Sequence, residues 1–186
     1  ETHVDQLVLA SIFCSEAHIE QEPYYQSNRM ISLLNFHTSL SNGCDMAQPF
    51  LKWAGGKRQL LKTISEHLPS EVKNGGKTRY IEPFVGGGAV FFHIRENFEF
   101  SEFYISDLNH DLINAYLVVR DELSGLCGEL EKISDEYFSK NSEQRAVQFY
   151  ETRDVYNSNM SCLENSEMGK ERVIRAAQMI FMNRTC

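Results

Sequence analysis

The stretch Arg79-Tyr-Ile-Glu-Pro-Phe-Val-Gly-Gly-Gly-Ala-Val-Phe-Phe92 constrains the fold more than any other part of the chain. Tyr80 and Ile81 favour extended backbone and read as a buried strand. Pro83 removes a backbone donor and ends it. Gly86, Gly87 and Gly88 then permit positive φ and a close approach of the backbone to a ligand. Residues 89–96 resume at helical spacing. Strand, glycine loop and helix N-terminus, in that order, make the nucleotide-binding corner of an open α/β sheet, with the ligand beyond the carboxyl end of the strand.

Glu82 bears on which ligand that is. A pyrophosphate in this loop would sit beside a fixed carboxylate, and like charges about 4 Å apart repel by roughly 4 kcal/mol at an effective dielectric near 20. The dinucleotide pattern G-x-G-x-x-G/A also fails, because Phe91 stands where a small residue lets helix and strand pack closely. A ligand carrying a cation or an amine fits better, and S-adenosylmethionine has a sulfonium, an amino group and a ribose but no phosphate. Glu102-Phe-Tyr-Ile-Ser-Asp107 reads as the next strand ending in an acid, 21 residues after Gly86. That spacing suits a carboxylate accepting from ribose hydroxyls. The alternative is a helix N-cap, since Asp107-Leu-Asn-His-Asp leads into a helical pattern.

Upstream, Phe50-Leu-Lys-Trp-Ala-Gly-Gly-Lys57 precedes a helix over 58–68, with Leu60, Leu61, Ile64 and Leu68 on one face. Pro69 and Asn74-Gly75-Gly76 form a loop into the central strand. A Walker loop is excluded, because position 51 is Leu and position 58 is Arg. Two readings of the segment stay open. Lys57 and Trp53 meet the carboxylate and the adenosyl body of the same ligand, or they are a surface lysine beside a core tryptophan.

Length and charge bound the rest. At 186 residues the chain can hold one domain and part of another. It starts at Glu1 and stops at Cys186 behind an amphipathic segment, so it reads as a fragment. Net charge is −8, of which residues 1–46 carry −5 and the remainder −3. Neither part has the basic footprint of a complete nucleic-acid surface, so most phosphate contacts of a DNA-binding protein would have to lie beyond Cys186. No apolar run is long enough to span a membrane, and the short run at residues 7–14 follows acidic residues, unlike a signal peptide. The five cysteines are scattered without C-x-x-C, which suggests reduced thiols in the cytoplasm and no metal site. His67, His93 and His110 read as helix residues rather than ligands.

Past Asp107 the pattern is helical. Leu108, Leu112, Ile113, Tyr116 and Leu117 form one stripe, and Leu126, Leu130 and Ile133 a second. Val147, Phe149, Tyr150 and Val155 belong to a third helix, 160–169 to a loop, and 170–182 to a fourth helix with Val173, Ile174, Ala177, Ile180 and Phe181 inward. The stripes are expected to be core. Arg145, Arg153, Lys170, Arg172 and Arg175 are expected on a solvated face. Residues 5–19 read weakly as a helix and 23–45 as loop.

Four segments in order, Phe50-Leu-Lys-Trp-Ala-Gly-Gly-Lys57, Glu82-Pro-Phe-Val-Gly-Gly-Gly88, Ser106-Asp-Leu-Asn-His-Asp111 and Phe181-Met-Asn-Arg-Thr-Cys186, resemble the Dam-type (D12 class) DNA adenine N6-methyltransferases. The likeness runs over residues 48–186. It implies an α/β, Rossmann-like S-adenosylmethionine-dependent fold with a truncated sheet, followed by the helical start of a target-recognition region. It also implies cofactor roles for Trp53, Lys57, Glu82, Phe84, Gly86, Gly88 and Asp107, and an approach of Arg184 to DNA. The expected division is an N-terminal extension at 1–46, the cofactor-binding part at 47–122 and the recognition region at 123–186. The partner implied is double-stranded DNA, and whether a restriction endonuclease shares the site is left open.

One departure is large. The family carries an Asp-Pro-Pro-Tyr motif at the transfer site, and the four prolines here, Pro23, Pro49, Pro69 and Pro83, make no such motif. An exocyclic adenine amine is a poor nucleophile until its hydrogens are held and the flipped base is stacked. The chain is therefore expected to bind cofactor without methylating DNA, and no catalytic residue is assigned. The alternatives are a non-catalytic cofactor-binding remnant and a methyltransferase acting on another substrate.

Overall fold

The computed structural model describes residues 48–73, 79–159, 163 and 169–186. The expectations for residues 1–46, for the turn at 74–76 and for most of the loop at 160–169 lie outside these, as do Cys14, Cys44 and Cys162. The described residues form two compact units, one ending at Leu108 and one beginning at Asn109.

The first unit opens with a 3-10 turn, Lys57–Leu60, that runs into helix α1, Leu61–His67. A 3-10 turn spaces side chains about 120° apart, so Leu60 falls off the 3.6-residue stripe that the sequence suggested. It is 53% exposed, while Leu61, Ile64 and Leu68 are half-buried. A single helical turn, α2 (Ser70–Lys73), follows Pro69 where loop was expected. Then come strand β1 (Arg79–Glu82), helix α3 (Ala89–Asn97) and strand β2 (Glu102–Ile105).

The two strands pair in parallel, Tyr80 opposite Phe103 and Glu82 opposite Ile105. Parallel neighbours need a crossover, and α3 is the crossover helix. The α/β expectation thus holds as a small two-stranded parallel sheet with its helix. Alternation puts Glu82, Phe103 and Ile105 on one buried face, where Phe103 meets the edge of the Phe91 ring of α3 at 5.8 Å. The opposite face is open: Ile81 is 68% exposed, so β1 is not the buried strand that its composition suggested. Parallel strands are buried on both sides only where a layer covers each side.

The second unit is helical: α4 (His110–Asp121), α5 (Leu123–Phe138), α6 (Ser142–Ser158) and α7 (Lys170–Thr185). Asn109, not Asp107, is the N-cap of α4, its side chain accepting from the Leu112 amide at 3.0 Å. Leu108 precedes that cap and is 76% exposed, so it leaves the core stripe. Helix α7 packs against α4, α5 and α6, with Ala176, Ala177 and Ile180 buried and Phe181 edge-on to Tyr137 at 5.2 Å.

Two expectations fail in this unit. Val147, Tyr150 and Val155 are each more than half exposed, and α6 turns Arg145, Gln148 and Tyr156 inward instead. The last carbonyls of a helix lack partners within it. Arg145 donates to two of them at the end of α5, Tyr137 O at 2.9 Å and Phe138 O at 3.1 Å. Arg172 and Arg175 are not solvated either; both are buried. Arg172 Nε donates to Asn114 Oδ1 at 2.9 Å, and the Asn114 amide donates to the Arg172 carbonyl at 2.9 Å. Arg175 forks onto Asp111 at 2.5 and 3.0 Å, donates to the Tyr156 and Asn159 carbonyls, and lies 3.9 Å from the Tyr156 ring centre. A charge is tolerated in a core when its donors are met in this way.

Candidate functional site

The sheet ladder continues past the ends of the strands. Ser106 N donates to Glu82 O at 2.9 Å and Val85 N to Ser106 O at 3.0 Å, so the glycine loop and Asp107 leave the sheet side by side. Gly86 and Gly88 take φ of +53° and +82°, which side chains rarely adopt. Asp107 Oδ2 accepts from the Gly86 amide at 3.0 Å.

Trp53 backs the loop. A Cβ built on Gly86 would come 3.1 Å from Trp53 Cδ1, and one on Gly87 would come 3.1 Å from both Leu51 O and Trp53 Cβ. The absence of side chains is therefore what lets the segment around Trp53 lie against the loop. Phe84 presents an exposed ring, 62% accessible, while its carbonyl accepts from Lys57 Nζ at 2.7 Å.

Glu82 lies beneath this arrangement and is buried. Tyr80 Oη donates to its Oε2 at 2.8 Å, Lys57 Nζ is 3.8 Å from its Oε1, and the Phe91 amide in the first turn of α3 also donates to it. A carboxylate suits a helix N-terminus. Burial pushes the Glu82 carboxyl above the usual carboxylate range, while Tyr80, Lys57 and Phe91 pull it back. Burial, and then the Glu82 charge, push the Tyr80 phenol up as well, so it stays a donor. The pairing with Lys57 corrects one step of the sequence reasoning. The carboxylate is not uncompensated, so its repulsion of a phosphate is weaker than the bare Coulomb figure.

The structure thus brings Trp53, Lys57, Glu82, Phe84, Gly86, Gly88 and Asp107 into one neighbourhood. Tyr80 and the steric role of Gly87 were missed. A signal for Tyr80 existed, because residues two apart on a strand share a face. Arg184 belongs to the second unit, in the last turn of α7. It is half-buried beside Tyr137, Phe138 and Phe181 around a cavity of about 20 Å³, and burial lowers its guanidinium pKa. Among the described residues, no helix is long and apolar enough to cross a membrane.

The family of D12 class N6 adenine-specific DNA methyltransferases matches residues 53–186. The chain belongs to this family. Over 139 residues it is 45% identical to the type II methyltransferase M.MjaIII of Methanocaldococcus jannaschii, covering 75% of this chain and 46% of that protein. It is 38% identical over 109 residues to a DNA adenine methylase of Salmonella typhi, covering 59% of this chain and 34% of the relative. A DNA adenine methylase of Serratia marcescens is 33% identical over 137 residues, 74% of this chain and 42% of the relative. The chain therefore spans less than half the length of these relatives. The family match begins at Trp53 and takes in the glycine loop, Asp107 and the whole helical unit.

Proposed function

We propose that residues 47–122 hold the methyl donor, S-adenosylmethionine, in a Rossmann-like arrangement, and that residues 123–186 begin the target-recognition region of a DNA adenine N6-methyltransferase. The observation that carries this is the hydrogen bond from the Gly86 amide to Asp107. It joins a side-chain-free loop to an acid at the adjacent strand end, where ligands of open parallel sheets bind.

The residues fit such a donor. Gly86 and Gly88 let the backbone come close to it, and Trp53 supports the loop from behind. Asp107 accepts from the ribose hydroxyls, and the exposed Phe84 ring offers an apolar flank to the adenine. Lys57 has three donors and a side chain 40% exposed; it spends one on Phe84 O and turns another to the methionine carboxylate. The donor supplies an activated methyl group on its sulfonium. The contribution of these residues is orientation of that group.

Methylation of adenine in DNA is proposed for the whole protein. The groups that would hold the adenine amine belong to the Asp-Pro-Pro-Tyr motif, which this sequence does not contain. Arg184 is proposed to face DNA, and a restriction endonuclease reading the same site fits the relationship to a type II enzyme. A cytoplasmic location is proposed from the scattered cysteines, with Cys127 and Cys186 both free.

Calorimetric titration with S-adenosylmethionine tests the donor site. The 186-residue chain is expected to bind, with Asp107→Ala and Lys57→Ala each weakening binding about tenfold, the scale of one lost hydrogen bond to a charged group. No binding by the parent refutes the donor site. Unchanged affinity in both variants refutes the residue assignment.

A further inference from the structure

We infer that Tyr80 is a positioning residue of the donor site: its hydroxyl holds the Glu82 carboxylate under the glycine loop, so that Lys57 stays in place to grip the loop at the Phe84 carbonyl. The inference rests on the donor-site reading given above.

Glu82 has two oxygens and each has its own side-chain partner. Oε2 takes the Tyr80 hydroxyl at 2.8 Å, and Oε1 lies 3.8 Å from Lys57 Nζ. That ammonium donates to Phe84 O at 2.7 Å, within the segment that becomes the loop. The Phe91 amide of α3 also donates to the carboxylate. One buried carboxylate thus joins the 3-10 turn, β1, the loop and α3. Tyr80 is fixed from its other side by Phe100 and Phe103, with ring centres 5.7 and 5.8 Å away. Its hydroxyl ends on Glu82, so its effect on a ligand passes through that carboxylate.

The arrangement depends on charge. Ionised Glu82 holds the ammonium, and protonated Glu82 releases it. Burial favours the protonated form, and the Tyr80 hydroxyl is the first of the groups that oppose this. Donor affinity is therefore present above the Glu82 titration and lost as pH falls through it. Fold stability runs the other way in that window. The folded carboxyl titrates above its unfolded value, so protonation of Glu82 favours the folded chain as pH falls. Opposite trends in affinity and stability are a signature that plain packing around Tyr80 does not produce.

The test is titration of the full chain with S-adenosylmethionine from about pH 5 to pH 8, the range that brackets a raised carboxyl, using the parent, Tyr80→Phe, Glu82→Gln and, as a destabilised control, Asn141→Ala. Tyr80→Phe is expected to bind about tenfold more weakly near neutrality and to lose affinity at a higher pH than the parent. Glu82→Gln is expected to show no acid limb. Asn141→Ala, which removes the capping box of α6, lowers the melting temperature and leaves the limb where it was. A parent with an acid limb on which Tyr80→Phe superimposes overturns the inference and leaves the donor site standing. A parent that never binds overturns both. Should Tyr80→Phe not fold, NMR of the parent decides: the Phe84 carbonyl carbon is expected to shift with the Glu82 carboxyl midpoint, and a carbonyl blind to that midpoint overturns the inference.

Discussion

The α/β unit and the helical unit both bury charge, and they handle it differently. In the helical unit Arg175 meets a carboxylate, two carbonyls and an aromatic face, while Arg172 and Asn114 exchange hydrogen bonds in both directions. The effect of that arrangement is to fasten α4, α6 and α7 together. In the α/β unit Glu82 has two donors and an ammonium 3.8 Å away, yet burial still holds its carboxyl above the ordinary range. A buried carboxyl whose partners do not fully offset its desolvation, beside a glycine loop, supports the proposed donor site.

The contrast breaks first at Arg175. Arg175→Met leaves Asp111 and two carbonyls without their cation, and is expected to destabilise the helical unit by about 3–5 kcal/mol in chemical denaturation. A loss near zero would mean that the pair is incidental. Next in size is Gly86→Ala, whose φ of +53° costs a side chain roughly 1–2 kcal/mol. Its Cβ would also press on Trp53, so the expected readout is weaker donor binding together with altered Trp53 fluorescence. If binding is untouched, the loop is only a turn. Asn141→Ala removes a capping box from α6 and is expected to cost about 1 kcal/mol, seen as a lower melting temperature with donor affinity unchanged. At the bottom of the scale, Lys62→Gln breaks an exposed pair with Glu66 and should shift neither stability nor binding measurably.

Much of the α/β unit was legible because its signals are local. Pro83, three successive glycines and an acid at the end of the next strand are read along the chain, and each acts within a few residues of its place. The pairing of Lys57 with Glu82 was not legible in the same way, because it depends on how the 3-10 turn docks below the loop. Arg172 and Arg175 were misread for a similar reason. Their partners lie 58 and 64 residues away, beyond any periodicity, and charge on a helix usually marks a solvated face. In α6 the apolar rule lost to hydrogen bonding: the carbonyls ending α5 drew Arg145 inward, and Val147, Tyr150 and Val155 went outward. Capping, by contrast, was a near miss, since the open choice at Asp107 was resolved two residues later at Asn109.

Gly87 differs from its neighbour Gly86 in what bars a methyl group. At Gly86 the obstacle is the positive φ together with the Trp53 indole, and a smaller residue at position 53 removes only the second. At Gly87 it includes the main-chain oxygen of Leu51, which every amino acid carries. A side chain at the first position is thus strained whatever residue 53 becomes, whereas at the second it asks only that the main chain at Leu51 and the Trp53 Cβ give by a few tenths of an ångström, so a library screened for retained function should admit small residues at position 87 more readily than at position 86.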